Sequence, residues 1–404
     1  MIFDIFFSIC QTEVDGYMPD ERQMFLNFFE QVDLADTLGY RCAWVAETHL
    51  SCQIQKENPH PVIPHFKGEI GLNTDIFQLA HLIFARTRQL EVGSAILNIQ
   101  CNGGPIARAE ALKTCLLLHG LDPAEKRKLQ IGFAGGRFPF SNRPYGVHPR
   151  NPWEEAAWPV LKSKVFQDAA EIFLRLVRGE AFSSQELSPK FVKAEDFRTE
   201  EHWAAVCKAY GRDCDQIRLD PFWRFDKIGV IPFDAPLPLL WLTVGAHDAE
   251  TQDFVNQIHP VGVFNLSITP APQIEATHQR LRETFHRDGG PWRRQYMPRT
   301  VLVFIDDSPG ASENTKNERA REKANHALAN YWKALQGTLD PKRVEAAVDN
   351  ALVGSPERIV EQLQTRFDPD DRIMLWFDFN NHDSEDVMQG MRLFKEKVAP
   401  RFEG

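Results

Sequence analysis

The 404-residue sequence contains no run of roughly 18 consecutive apolar residues, the length a membrane-spanning helix requires. Asp4 breaks the apolar run at the N-terminus and no basic residue precedes it, so the chain does not begin as a secretory signal would. Cysteine is sparse, and none of the seven (Cys10, Cys42, Cys52, Cys101, Cys115, Cys207, Cys214) stands in the C-x-x-C spacing of a zinc or redox site. Reduced thiols in a soluble, cytoplasmic protein are the expectation. Positive charge is short as well: 46 Lys and Arg face 56 Asp and Glu, a net −10, so neither a broad grip on nucleic acid nor a membrane partner is expected. Also missing are G-x-G-x-x-G and the Walker A pattern, which disfavours a nicotinamide Rossmann site, and there is no fixed-period repeat or long Gly/Ser linker.

What is present alternates. Ile2 to Ile9 is a short apolar run read as a buried strand. Phe25, Phe28, Phe29 and Val32 then repeat at helical spacing, with Gly39 where a helix C-cap belongs. Strands are expected at Cys42 to Ala46, Leu90 to Leu97 and Leu129 to Ala134, with helices at Ile76 to Arg86, Ile106 to His119 and Val160 to Arg178. Residues 180–236 break the rhythm and read as an insertion with some helix near His202 to Tyr210. The alternation resumes with strands at Leu239 to Val244, Val261 to Ser267, Thr300 to Ile305 and Arg372 to Phe377. Helices are expected at Ala249 to Ile258, Gln273 to Arg287, Glu313 to Leu335 and from Ser355-Pro356 to about Phe367, and a last one carries Val387, Met391, Phe394 and Val398 on one stripe. Eight βα units predict an α/β fold, a (β/α)8 TIM barrel forming one domain over 1–404, with the 180–236 insertion between the fourth and fifth units.

Such a barrel puts its site at the C-terminal ends of the strands. Two post-strand segments stand out. Ile-Gly-Phe-Ala-Gly-Gly-Arg at 131–137 has paired glycines that let a flat or anionic ligand approach the backbone, with Arg137 supplying charge; a tight turn that binds nothing fits the same glycines. Thr243 to Thr251 runs through Gly245 into a helix whose free amides suit a phosphate, although Asp248 as N-cap would occupy one amide and repel an anion. His49, ending the second strand, suits proton transfer or hydrogen bonding, or is a satisfied structural histidine; its spacing to His60 and His65 matches no metal-ligand pattern, and no metal is expected. The 51–71 loop is long enough to be a lid. Phe66, Phe222, Trp223 and Phe225 are candidates for an apolar substrate wall, or for core.

At these strand ends the chain resembles the bacterial-luciferase-like flavin-dependent monooxygenases. Asp36-Thr-Leu-Gly-Tyr-Arg-Cys-Ala-Trp-Val-Ala-Glu-Thr-His-Leu50 looks like that family's second unit, and Leu90 to Leu97 with Gly104-Pro-Ile and Glu110 looks like the third. Gly354 to Leu363, then Trp376-Phe-Asp-Phe and the Met391 to Pro400 helix, is similar to the C-terminal signature. The resemblance implies reduced FMN at the strand ends, O2 as co-substrate reacting through a flavin C4a-peroxide, a small organic substrate, a separate flavin reductase and a homo-oligomer. It places Ala95-Ile96 beneath the flavin ring, where the family often has a non-proline cis peptide. Asn98, Ala134, Gly135, Gly136 and Arg137 would line the ring and side chain; Gly245, Ala246, His247 and Asp248 would sit at the phosphate; His49 would be catalytic. Two departures matter: Thr48 stands where luciferases proper carry a first histidine, and Ala134 where they carry a reactive cysteine. Aldehyde oxidation with light emission is therefore not expected. A deazaflavin hydride-transfer enzyme, a non-catalytic flavin-binding barrel and a metal-dependent hydrolase using Glu47, His49 and His60 are the alternatives.

Overall fold

A computed structural model describes residues 1–246, 248–267, 269–334 and 350–402. The strands are β1 (Ile2–Phe7), β2 (Cys42–Val45), β3 (Glu91–Asn98), β4 (Leu129–Ala134), β5 (Phe191–Lys193), β6 (Gln216–Arg218), β7 (Leu240–Val244), β8 (Gly262–Val263), β9 (Arg299–Ile305), β10 (Leu352–Gly354) and β11 (Arg372–Trp376). The helices are α1 (Glu21–Leu38), α2 (Ile76–Arg86), α3 (Gly104–His119), α4 (Pro139–Asn142), α5 (Pro152–Val177), α6 (Glu200–Tyr210), α7 (Ala249–Ile258), α8 (Ala271–Thr284), α9 (Glu313–Ala334), α10 (Pro356–Arg366) and α11 (Ser384–Leu393). Nine strands pair in parallel in the order β10-β9-β11-β1-β2-β3-β4-β7-β8. Just beyond β8, Asn265 forms a parallel bridge with Arg299 of β9: its N–H donates to Pro298 O (3.0 Å) and its carbonyl accepts from Thr300 N (3.0 Å).

The period-two alternation of a strand decides what each face carries. In β1, Phe3, Ile5 and Phe7 join the large core beneath the helices, whereas Phe6 joins a second cluster with Cys42, Trp44, Phe264 and Met374. Trp44 fits there because residue 93 is glycine, since a Cβ at Gly93 would lie 2.6 Å from the indole. At the N-terminal ends of the strands the same face turns polar. Asp4 Oδ2 accepts from Trp44 Nε1 (2.6 Å) and Arg372 Nε (2.5 Å), while Glu91 accepts from Gln130 Nε2 and Arg41. Each of these buried charges has a partner, which burial demands.

Residues 180–236 lie between α5 and β7. β5 and β6 pair antiparallel there, and with α6 they pack Val192, Val206, Ile217 and Leu219 against Ala157, Leu161 and Val165 of α5. Phe222 and Trp223 pack against this cluster, and Phe225 lies edge-on to Phe182 (5.6 Å between ring centroids), so these aromatics serve packing. Three elements differ from the sequence expectation. The sixth of the expected strands shrinks to Gly262–Val263, its next residues holding only the Asn265 bridge. α5 starts at Pro152, capped by Asn151 and running through Pro159. β10 is an added strand of three residues, too short for periodicity to reveal, paired with Val303 to Ile305 of β9.

Arg372→Met would leave the Asp4 carboxylate buried opposite a neutral side chain, at a cost of about 3–5 kcal/mol. Burial already raises the Asp4 pKa against the pull of Arg372, so Asp4 can take a proton to relieve the loss. Urea unfolding should therefore show the deficit of the variant at pH 8 and a smaller one at pH 5; an equal deficit at both would contradict this account.

Candidate functional site

The parallel sheet delivers every strand's C-terminal end to one side. On β3 the register against β4 shifts between Ser94 and Leu97, and the Ala95-Ile96 peptide is cis, at the position the resemblance singled out. Ala95 and Ile96 pack, with Ala46 and Trp376, onto the cluster of Phe6, Trp44 and Phe264. Small residues make room around them: a Cβ at Gly245 would lie 2.5 Å from Ile96 Cδ1, and one at Gly132 would lie 2.6 Å from Ser94 O and 3.3 Å from Thr243 Oγ1.

Asn98 Nδ2 donates to Asn142 Oδ1 (2.7 Å), and Asn142 Nδ2 donates to Gly135 O (2.7 Å). Gly136, at φ 78°, lies against the Asn98 amide so closely that a Cβ would collide with it. The paired glycines after β4 are thus required by the packing of their own loop. Ala134 and Gly135 are half-buried and Arg137 is exposed, its guanidinium 5.3 Å from the Phe138 ring centroid and hydrogen-bonded to Tyr331. On the far side Gly245 N donates to Phe133 O (2.9 Å), and buried Ala246 gives its carbonyl to Gln252 Nε2 (2.7 Å). Asp248 caps α7, accepting from Thr251 N (2.7 Å), so the helix start already carries a carboxylate. His247 lies outside the described residues.

His49 is buried. Its Nε2 lies 2.9 Å from Glu47 Oε1 and 3.0 Å from an Arg108 guanidinium nitrogen, which is itself 3.3 Å from the same carboxylate oxygen. Burial opposes the imidazolium, but hydrogen bonds to Cys101 and Glu47 outweigh it and push the His49 pKa up to about 9. His60 and His65 join no such network, and among the described residues no group of three or more His, Cys, Asp or Glu side chains is placed to hold a metal ion.

Asp378 lies just after the last strand, within the Trp376-Phe-Asp-Phe signature, but the sequence assigns it no role. Its Oδ2 accepts two hydrogen bonds from Ser8, one from the backbone N–H (3.1 Å) and one from Oγ (3.0 Å), while Oδ1 is buried without a hydrogen-bond partner. Burial raises its pKa to about 6, held back by the Ser8 bonds and the nearby Trp376 indole. Thr243 Oγ1, Asn265 Nδ2 and Trp376 Nε1 are likewise buried and lack a partner of ordinary geometry. Three strand ends, those of β7, β8 and β11, thus leave four polar atoms without a partner of ordinary geometry, which natural interiors rarely tolerate without a ligand or water. The 51–71 loop lies nearby, pinned by Glu69, which accepts from Ser51 Oγ (2.5 Å) and Cys52 N (2.6 Å). Cys52, Ile63 and Phe66 pack with Cys10, Phe138, Phe140 and Tyr331. An aromatic chain from Phe6 through Trp376 and Phe379 to Tyr331, with centroid steps of 4.6, 4.9 and 5.1 Å, connects the sheet interior to that cluster.

No family model matches this chain, and no curated protein matches its sequence. Solved structures do match in fold. The monooxygenase RslO1 from Streptomyces bottropensis is 17% identical with a TM-score of 0.67, each chain covered in full. The oxygenating constituent of 3,6-diketocamphane monooxygenase from the CAM plasmid of Pseudomonas putida, a type II Baeyer-Villiger monooxygenase in complex with FMN, is 14% identical over 100% of this chain and 99% of that one, with a TM-score of 0.61. An F420-dependent secondary alcohol dehydrogenase in complex with an F420-acetone adduct is 13% identical over 100% and 99%, with a TM-score of 0.58. The chain is thus an α/β protein built on a largely parallel sheet. More narrowly, it has the luciferase-like fold.

Two outcomes follow from this geometry. The folded-state pKa of His49 lies above the unfolded value of about 6.5, so its charge contributes stability that is fully present below that pH and lost as pH rises through about 9. Urea midpoints from pH 6 to 10 should fall across this window, and Glu47→Gln should flatten the fall; an identical profile in the variant would show that Glu47 does not hold the charge. Gly136→Ala should destabilise by about 1–3 kcal/mol through the positive φ and the Asn98 collision, read as a lowered Tm.

Proposed function

We propose that this chain is a flavin-dependent monooxygenase that uses reduced FMN and O2 to oxygenate a small organic substrate, with the reduced flavin supplied by a separate reductase. The reading is carried by the set of partnerless polar atoms, Thr243 Oγ1, Asn265 Nδ2, Trp376 Nε1 and Asp378 Oδ1, at the same end of the sheet as the apolar Ala95 and Ile96. A flat heterocycle with polar edges has the chemistry to satisfy them. The whole-chain likeness to an oxygenase in complex with FMN lends support. In this reading the sheet is a closed (β/α)8 barrel with β10 outside it and 180–236 inserted between the fourth and fifth units, which the Asn265 to Arg299 bridge favours.

The bound flavin would supply the two-electron reduction of O2 that the protein's own side chains lack. Ala95 and Ile96 would seat the ring, Asn98 and the Ala134 to Arg137 turn its side, and Gly245, Ala246, His247 and Asp248 its phosphate end. Asp248 is spent on capping α7, and Lys164 Nζ, which reaches the first turn of that helix, is paired with Glu250 at 2.5 Å, so little positive charge is left to hold a phosphate. Loose retention suits a flavin that arrives reduced and leaves oxidised. His49 and Arg108, which share the Glu47 carboxylate, contribute positive potential to the same side, favourable to an anionic reduced flavin. The 51–71 loop and Tyr331 exclude water.

A deazaflavin hydride-transfer enzyme is the second reading, favoured by the fold shared with the F420-dependent dehydrogenase. Anaerobic titration separates the two. Photoreduced FMN should bind with a Kd in the range of about 1–100 μM, and admitted O2 should reoxidise it with kinetics different from free flavin. Selective binding of reduced F420 would move the assignment to hydride transfer, and binding of neither would remove both.

A further inference from the structure

We propose that Asp378 is the proton donor of this site: its carboxyl presents Oδ1 at the sheet's C-terminal end and supplies the proton that oxygenation consumes. The inference rests on the monooxygenase reading above and adds to it a residue that the family resemblance did not place in the site.

The geometry fixes which oxygen does what. Oδ2 accepts from the Ser8 N–H and faces its Oγ, so the backbone N–H favours Oδ1 as the oxygen that carries a proton. Oδ1 is buried and has no partner of ordinary hydrogen-bond geometry among the described residues, with the Trp376 indole the nearest donor, which leaves a proton there available to a bound molecule. Residue 378 follows directly on β11, and β1 lies alongside with Phe6 opposite Trp376, which sets Ser8 beside Asp378. The groups facing it are few. From β1's end come Ser8 and the Cys10 thiol, itself pushed up to about 12 by burial and therefore uncharged. From its own strand comes the Trp376 indole, and beyond Cys10 stands Tyr331 of α9, whose pKa burial raises, with Arg137 against it. Further along the same loop, His382 bonds Thr12 O and is kept neutral by burial. Among the described residues no cation touches the carboxyl, so burial dominates its protonation, and the titration lies near pH 6.

The balance closes with one proton. Anionic reduced flavin, O2, substrate and H+ give oxidised flavin, oxygenated substrate and water: the O–O bond breaks, one oxygen bonds to the substrate, and the other leaves as water carrying the flavin's hydrogen and the Asp378 proton. Without substrate, anionic reduced flavin, O2 and the same proton give oxidised flavin and hydrogen peroxide. Solvent then reprotonates Asp378.

The full-length protein can be tested before any substrate is known. Difference infrared spectroscopy of the flavin-free protein should show the C=O stretch of a protonated carboxyl that titrates near pH 6 and is absent in Asp378→Asn. Ser8→Ala removes one hydrogen bond that favours the ionised form, so the midpoint should move to higher pH. With photoreduced FMN bound, hydrogen peroxide release on admitting O2 should slow by about tenfold per pH unit above the same midpoint. That midpoint should shift upward in Ser8→Ala, and the dependence should vanish in Asp378→Asn. A carboxyl band that does not respond to either substitution overturns the assignment. So does a peroxide-release profile in Asp378→Asn that matches the parent. Failure of reduced FMN to bind at all, with the band present, would instead overturn the monooxygenase reading and this role with it.

Discussion

The pairing of the first strand with the last organises this molecule. β1 and β11 lie 370 residues apart in sequence, and their parallel register sets Asp4 opposite Met374 and Phe6 opposite Trp376. At the N-terminal end that register brings the Asp4 carboxylate onto the Arg372 guanidinium; at the C-terminal end it brings Ser8 onto Asp378. A slip of one residue would turn every side chain of β1 to the other face and break both contacts together. The buried ion pair at one end and the Ser8–Asp378 contact at the other therefore depend on the same register. Such pairs add little net stability over apolar packing but penalise wrong registers heavily.

Much of the fold was legible because it is repetitive. Short apolar runs alternating with amphipathic stretches gave all eight expected strands close to their observed places, and capping residues such as Asp248 and Ser355 marked helix starts that the structure confirms. The misses have physical causes. Val261 to Ser267 is apolar enough to read as seven residues of strand, yet Gly262 packs against the Tyr296 backbone and the ladder thins to one bridge. β10 and the β5 and β6 hairpin are three residues each, below the length at which a period can be counted.

The candidate site was legible in position and less so in detail. Knowing that strand ends carry function limited the search to a few short segments, and these are where the partnerless polar atoms lie. What each residue does there depended on partners remote in sequence. Gly136 reads as an opening for a ligand until Asn98 is seen against it, and Asp248 reads as a neighbour of a phosphate until its cap is formed. His49 stood out as a histidine at a strand end, whereas Asp378 was one acidic residue among 56. Its place after the last strand marks it only as a position to examine, because its contact with Ser8 arises when the ends of the chain meet.

Placed together, the two titratable groups at this end of the sheet divide the electrostatic work. His49 has the Glu47 carboxylate at 2.9 Å and the Arg108 guanidinium at 3.0 Å, with its pKa raised; among the described residues Asp378 has only neutral donors around it, and burial raises its pKa. Neighbouring environments that push a base up and an acid up leave the region more positive than its composition suggests, in a protein of net charge −10. An overall acidic chain can therefore present a locally receptive surface to an anion without a cluster of lysines. Reversing either environment, by placing a cation beside Asp378 or removing Glu47 from His49, would make the same fold less hospitable to a reduced, anionic ligand.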